Sequence, residues 1–126
     1  MPATLLVVDD YPDTLEMWTL YLRSCGYRVL TAVNGIDAVA TATAELPNLV
    51  ILDLDLPGIS GYEAARRLRG ADATAAIPLI AVTGYSDTQK VAEARRAGFT
   101  SVLVKPCAPE SLVRLIERVL AEQPPS

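Results

Sequence analysis

The sequence predicts an α/β fold, a doubly wound parallel sheet of five strands flanked by five helices. Three observations carry that prediction. Short runs rich in Val, Ile and Leu recur at residues 5–8, 28–31, 49–52, 79–82 and 102–104. Continuous apolar runs of this length, bounded by turn residues, suit strands buried on both faces. Between them lie stretches of helical periodicity, and strand and helix alternate strictly, at roughly 20–25 residues per unit. Such a sheet binds its ligands outside the carboxyl ends of its strands. The first strand is expected at its centre.

The elements follow in order. In the first helix, Leu15, Trp18, Leu22 and Cys25 fall at i, i+3, i+7 and i+10, an apolar stripe that places Trp18 in the core. Pro12-Asp13 opens this helix, Gly26 ends it, and Asp9-Asp10 offers it a cap. Asn34-Gly35 opens the second helix, read over 37–46. Leu46-Pro47 closes it, because the residue before proline leaves the α region. The third helix is read over 62–69 and the fourth over 87–97, the latter capped by Ser86 and stopped by Gly98. Pro109 stands near the first turn of the fifth. There Leu112, Leu115, Ile116, Val119 and Leu120 form a stripe opposite Arg114, Glu117 and Arg118. Residues 1–122 read as one domain and 123–126 as a Pro-rich tail or truncated linker.

Composition narrows the function. A chain of 126 residues, 51% hydrophobic and 21% charged, holds one ordinary core. Its net charge of −4 argues against gripping nucleic acid through phosphates. No apolar run approaches a membrane span, and no signal peptide is visible. Cys25 and Cys107 lie far apart without metal or disulfide spacing, which suits reduced thiols in the cytoplasm. The chain has no histidine, which removes every mechanism needing a histidine base, nucleophile or ligand within it.

Polar residues mark the strand ends. Asp9 and Asp10 follow the first strand, Asp53 the third, Thr83 the fourth and Lys105 the fifth. Three carboxylates in one cleft repel by roughly 3 kcal/mol per pair at about 5 Å and an effective dielectric near 20. All-oxygen ligands favour Mg²⁺ or Mn²⁺ over zinc. A hydroxyl, an ammonium and a cation around a carboxylate suit a tetrahedral, multiply charged oxyanion, and phosphoryl transfer needs little beyond such positioning.

The motifs LLVVDD, LVILDLDLPGISG, AVTG and VLVKP, in order at the strand ends, resemble those of response-regulator receiver domains over residues 4–122. The resemblance implies a flavodoxin-like strand order 2-1-3-4-5 and a phosphoacceptor at Asp53, fed by a sensor histidine kinase or histidine phosphotransfer protein. It implies Mg²⁺ (or Mn²⁺) held by Asp10, Asp53 and the backbone carbonyl of Asp55, with Asp9 acting through water. Thr83 would bind the phosphoryl oxygen, and Lys105 would pair first with the carboxylate and then with the phosphate. Lys105-Pro106 matches a cis peptide position. A side chain at Gly84 would narrow access to Asp53. The implied module catalyses only its own phosphorylation and dephosphorylation. It meets an output domain or partner on the face of the fourth helix, fifth strand and fifth helix, can form a homodimer, and touches neither nucleic acid nor membrane.

Two positions depart from the family pattern. Val102 stands where relatives carry an aromatic ring whose rotamer follows the threonine; valine is stiff and has no ring to swing. Output then runs through the loop and helix after strand four, or through Tyr85, or the chain is a degenerate receiver acting as a constitutive interaction module. Asp55 adds a carboxylate where many relatives are neutral. A D-x-D phosphatase of the haloacid-dehalogenase kind would use Asp53 and Asp55 as its pair, but Pro57 stands where that motif wants Thr or Val, and the chain has no room for its cap. A flavodoxin would want small hydroxyl residues after strand one, where this chain has two acids.

Overall fold

The computed structural model describes residues 2–84 and 88–123. Its elements alternate as β1 (Thr4–Val8), α1 (Pro12–Ser24), β2 (Arg28–Ala32), α2 (Gly35–Glu45), β3 (Leu49–Asp53), α3 (Gly61–Gly70), β4 (Leu79–Thr83), α4 (Thr88–Ala97), β5 (Ser101–Val104) and α5 (Pro109–Ala121). All pairings are parallel, in the order β2-β1-β3-β4-β5. This is the flavodoxin-like order expected. The middle strand, however, is β3 and not β1, which lies one place in from the β2 edge. Ser86, Tyr85, the expected start of the fourth helix at Asp87, and Pro124 to Ser126 lie outside the described residues.

Strand burial follows sheet position. All five residues of β3 and of β4 are buried, as their unbroken apolar runs require. The edge strands β2 and β5 are only partly covered, because each has a neighbour on one side alone. The core falls into two layers. One is centred on Leu6, Val50, Leu52, Leu79 and Ala81 and takes the inner faces of α2, α3 and α4. The other joins Leu5, Leu49, Ile51 and Ile80 to Leu15, Trp18 and Leu22 of α1 and to Leu112, Ile116 and Val119 of α5. Alternation along each strand sends neighbouring residues to opposite layers.

Helix ends reflect local chemistry. Pro12 and Pro109 occupy first-turn positions, where a missing N–H costs nothing. Asn34 and Ser60 cap α2 and α3 by accepting the N–H groups of Asp37 and Glu63. Asp10 does not cap α1: the capping position is Tyr11, with no side-chain hydrogen bond. Cys25 likewise leaves the stripe, because α1 stops at Ser24 and the thiol is exposed. Gly98, at φ +112°, ends α4. Arg69 ties this corner together. Its guanidinium donates to the carbonyls of Gly98, Ala75 and Ile77, linking the end of α3 to the segments before β4 and β5.

Among the described residues, no helix is long and apolar enough to cross a membrane.

Candidate functional site

The carboxyl ends of β1, β3, β4 and β5 converge. Backbone hydrogen bonds carry the ladder past the strands and fix the residues that follow. The Asp9 N–H donates to the Ala32 carbonyl at 3.2 Å, and the Lys105 N–H donates to the Thr83 carbonyl at 2.7 Å. Asp53 pairs in register with Val82, and Thr83 with Val104. Asp9, Asp53 and Thr83 are only 4%, 7% and 1% exposed. Buried carboxylates at such positions demand partners.

Those partners are specific. The Lys105 ammonium donates to Asp53 Oδ2 at 2.9 Å and lies 3.5 Å from Asp9 Oδ2. The other oxygen of Asp53, Oδ1, accepts the N–H of Asp55 at 2.9 Å. Asp9 Oδ1 accepts the N–H of Tyr11 at 2.9 Å. Burial pulls the Lys105 pKa down, but its hydrogen bond to Asp53 and the charges of Asp53 and Asp9 outweigh it, so the net shift is upward. The Lys105-Pro106 peptide is cis.

Asp10 completes the cluster from the solvent side. One carboxylate oxygen each from Asp9, Asp10 and Asp53 lie within 4.8 Å of one another. Three carboxylates against one ammonium leave the cluster two charges negative when all are ionised. An all-oxygen set of that charge, with one exposed member, fits a hard divalent cation such as Mg²⁺.

Asp53 and Asp55 are not an equivalent pair. Asp55 gives its backbone N–H to Asp53, while its own carboxylate faces solvent. That geometry does not present two carboxylates to one substrate. Gly58, at φ +77°, turns the chain after Pro57 and leads it into α3. Gly61 then packs on the end of β3, and a Cβ there would sit 2.5 Å from the Asp53 carbonyl oxygen. Among the described residues, an added Cβ at Gly84 meets nothing within 4 Å.

Sequence reading did not anticipate the neighbours of Lys105. A depression of about 290 Å³ beside it is lined by Thr14, Met17, Trp18, Pro106 and Cys107. The α1 stripe held the signal: Trp18 is 8% exposed in the core, which turns Thr14 and Met17 toward the α5 side of the cleft. Cys107 has its thiol pKa pushed up by burial, despite the nearby Lys105 charge.

Residues 5–117 match the family model described as response regulator receiver domain. The chain is 39% identical over 119 residues to the protein PilH of Pseudomonas aeruginosa, covering 94% of this chain and 98% of that one. Among solved structures, a putative response regulator of Chloroflexus aurantiacus superposes with a TM-score of 0.92 at 36% identity, covering 97% of this chain and all of that one. The receiver domain of a sensor histidine kinase from Pseudomonas aeruginosa, solved with a magnesium ion coordinated in its active-site cleft, superposes with a TM-score of 0.90 at 30% identity, covering 97% and 100%.

Proposed function

The chain belongs to the response regulator receiver domain family, and we propose that its Asp53 accepts a phosphoryl group from the phosphohistidine of a sensor kinase or a histidine phosphotransfer protein. One observation carries the reading. The Asp53 carboxylate is buried at the end of the middle strand, held by Lys105 and the Asp55 N–H, with the carboxylates of Asp9 and Asp10 beside it. A carboxylate oxygen of Asp53 attacks phosphorus, the phosphorus–nitrogen bond of the donor breaks, and the imidazole leaves with the electron pair.

The donor set fits a divalent cation. Asp10, Asp53 and the Asp55 carbonyl would hold it directly, and Asp9 through bound water. When bound, Mg²⁺ (or Mn²⁺) neutralises charge on the phosphoryl oxygens. Lys105, already on Asp53, follows the charge from carboxylate to phosphate. Thr83, buried at the end of β4, supplies the hydroxyl that reports the phosphoryl group to the segment leading into α4. The aspartyl phosphate adds about −1.5 to −2 charges at an already acidic site and biases a two-state surface rather than building a new one.

Receiver domains are signalling modules, and this one turns over no external substrate beyond its phosphodonor. We place it in the cytoplasm, with residues 1–122 as one domain. Its output surface is the α4–β5–α5 face, open to an output domain or a partner.

Acetyl phosphate with Mg²⁺, followed by intact mass, tests the assignment. We expect one acid-labile phosphoryl adduct, lost with EDTA and absent from Asp53→Asn. Failure with both acetyl phosphate and a cognate kinase, or an adduct that persists in Asp53→Asn, would falsify it.

A further inference from the structure

A groove of about 360 Å³ runs between α1 and β2, at the edge of the sheet farthest from β5. Leu15, Leu20 and Val33 give it an apolar lining, and Glu16 and Arg23 stand at its sides. Leu20 is 60% exposed and Val33 47%, well outside the range of the core. β2 pairs only with β1, so among the described residues no further strand covers this edge.

Glu16, Leu20 and Arg23 follow one another in steps of four and three, so they share one face of α1. Both charged side chains are exposed, and among the described residues neither forms an ion pair. They stand about 10 Å apart along the helix axis, too far to pair with each other. The Arg23 guanidinium donates to the Val29 carbonyl at 3.3 Å, which holds it toward β2 without neutralising it. The order acid, leucine, base has a particular symmetry. Turned about a two-fold axis beside Leu20, it meets base, leucine, acid, so each charge faces its opposite.

We infer that this groove is a contact between two copies of the chain, α1 packed antiparallel on α1. Glu16 of each copy pairs with Arg23 of the other, and Leu20 and Val33 close the centre. Charge decides against the other occupants. A strongly acidic or a strongly basic partner segment would meet one like charge in the groove. Nucleic acid or an anionic membrane would meet Glu16 and, a turn away on the same helix, Asp13. Antiparallel helices turn the two sheets head to tail, so the two Asp53 clefts open in opposite directions. The contact goes beyond the phosphoacceptor reading and does not rest on it.

Sedimentation equilibrium of the full chain, without phosphodonor, tests the inference. A single-helix groove is smaller than a standard interface, so we expect a monomer–dimer equilibrium with Kd of about 100 μM. Glu16→Arg sets two arginines against two, and Arg23→Glu sets two glutamates against two. Each alone should weaken association about tenfold or more, and Leu20→Asp should do the same. A one-to-one mixture of Glu16→Arg with Arg23→Glu should recover wild-type association, because each acid then faces a base in the mixed dimer. That recovery cannot come from misfolding, and all three variants should keep wild-type circular dichroism and labelling by acetyl phosphate. Four outcomes would overturn the inference: a wild-type chain monomeric up to about 1 mM, single variants that associate as the wild type does, folded single variants that stay monomeric when mixed, or a dimer abolished by Arg114→Glu with Arg118→Glu on α5. Dimerisation without phosphorylation of Asp53 would keep this inference and remove the proposed function; the reverse would keep the function alone.

Discussion

At the residue scale, Lys105 is the pivot of the site. It is the only cation among the described residues in contact with Asp9 and Asp53, and it offsets two buried carboxylates with one charge. Lys105→Met leaves those carboxylates facing each other. Breaking a buried pair costs about 3–5 kcal/mol. With a third of the lysine side chain exposed, solvent screening reduces that to about 1–3 kcal/mol. We expect that loss in urea unfolding without metal, and Mg²⁺ should restore part of it by occupying the same charge. Asp53→Asn in the Lys105→Met background should be less harmful than in the wild type, a coupling that a double-mutant cycle reads directly. Additive effects would mean that the 2.9 Å contact carries no net energy. The members of this site were legible because acids, a hydroxyl and a lysine stood at strand ends, where packing gives them no reason to be. The N–H groups of Tyr11 and Asp55 were not legible, since every non-proline residue carries one and only the turn decides where it points. The Asp55 side chain suggested a second acid, whereas its contribution within the described site is a backbone donor.

At the scale of elements, two helix ends carry strain or tight fit that single substitutions expose. Gly61 starts α3 against the end of β3. A methyl group there would lie 2.5 Å from the Asp53 carbonyl oxygen and 2.8 Å from Leu54 Cα, both backbone atoms that cannot swing aside. Gly61→Ala should therefore lose about 1–3 kcal/mol, outweighing any gain in helix propensity. It should also slow phosphorylation by moving the strand end that carries Asp53. An unchanged melting temperature would show that α3 slides freely on β3. The opposite effect is expected at Leu46, which ends α2 at φ 48° with half its surface exposed. Glycine removes the left-handed penalty there, set against its own unfolded-state entropy, and should gain up to about 1 kcal/mol. A thermal melt that drops on Leu46→Gly would show that the side chain's remaining contacts outweigh its strain. The helices themselves were readable from periodicity, proline and glycine. The Ser60 cap and the Arg69 clamp were not: Arg69 reads as a surface charge until the fold brings three carbonyls to it.

At the scale of the molecule, charge is distributed unevenly. Residues 1–60 carry eight acidic and two basic side chains, and residues 61–126 carry seven acidic and nine basic. The strict alternation of strand and helix made the five-stranded sheet legible, but which strand lies in the middle is set by the direction of each crossover, and local pattern does not encode it. Titration couples the distant parts of this fold. Burial raises the pKa of Cys107, and burial with the Glu117 and Cys25 charges raises that of Tyr27. Lys105 also shifts upward, its acidic partners outweighing burial. A raised pKa means the native state still holds a proton that the unfolded chain has released. Stability from such a group is complete below its ordinary pKa and is lost as pH rises through the raised one. All three groups act in the same direction. Arg69 is shifted downward by burial, with the opposite sign, but a guanidinium titrates above the accessible range. Urea melts in EDTA should therefore show constant stability from neutrality to about pH 8.5, then a decline that steepens above about pH 10. Cys107→Ser should remove the first part of the decline and leave the second. Stability that held or rose up to pH 11 would mean that neither the thiol nor the Lys105 pair is protected as this packing requires.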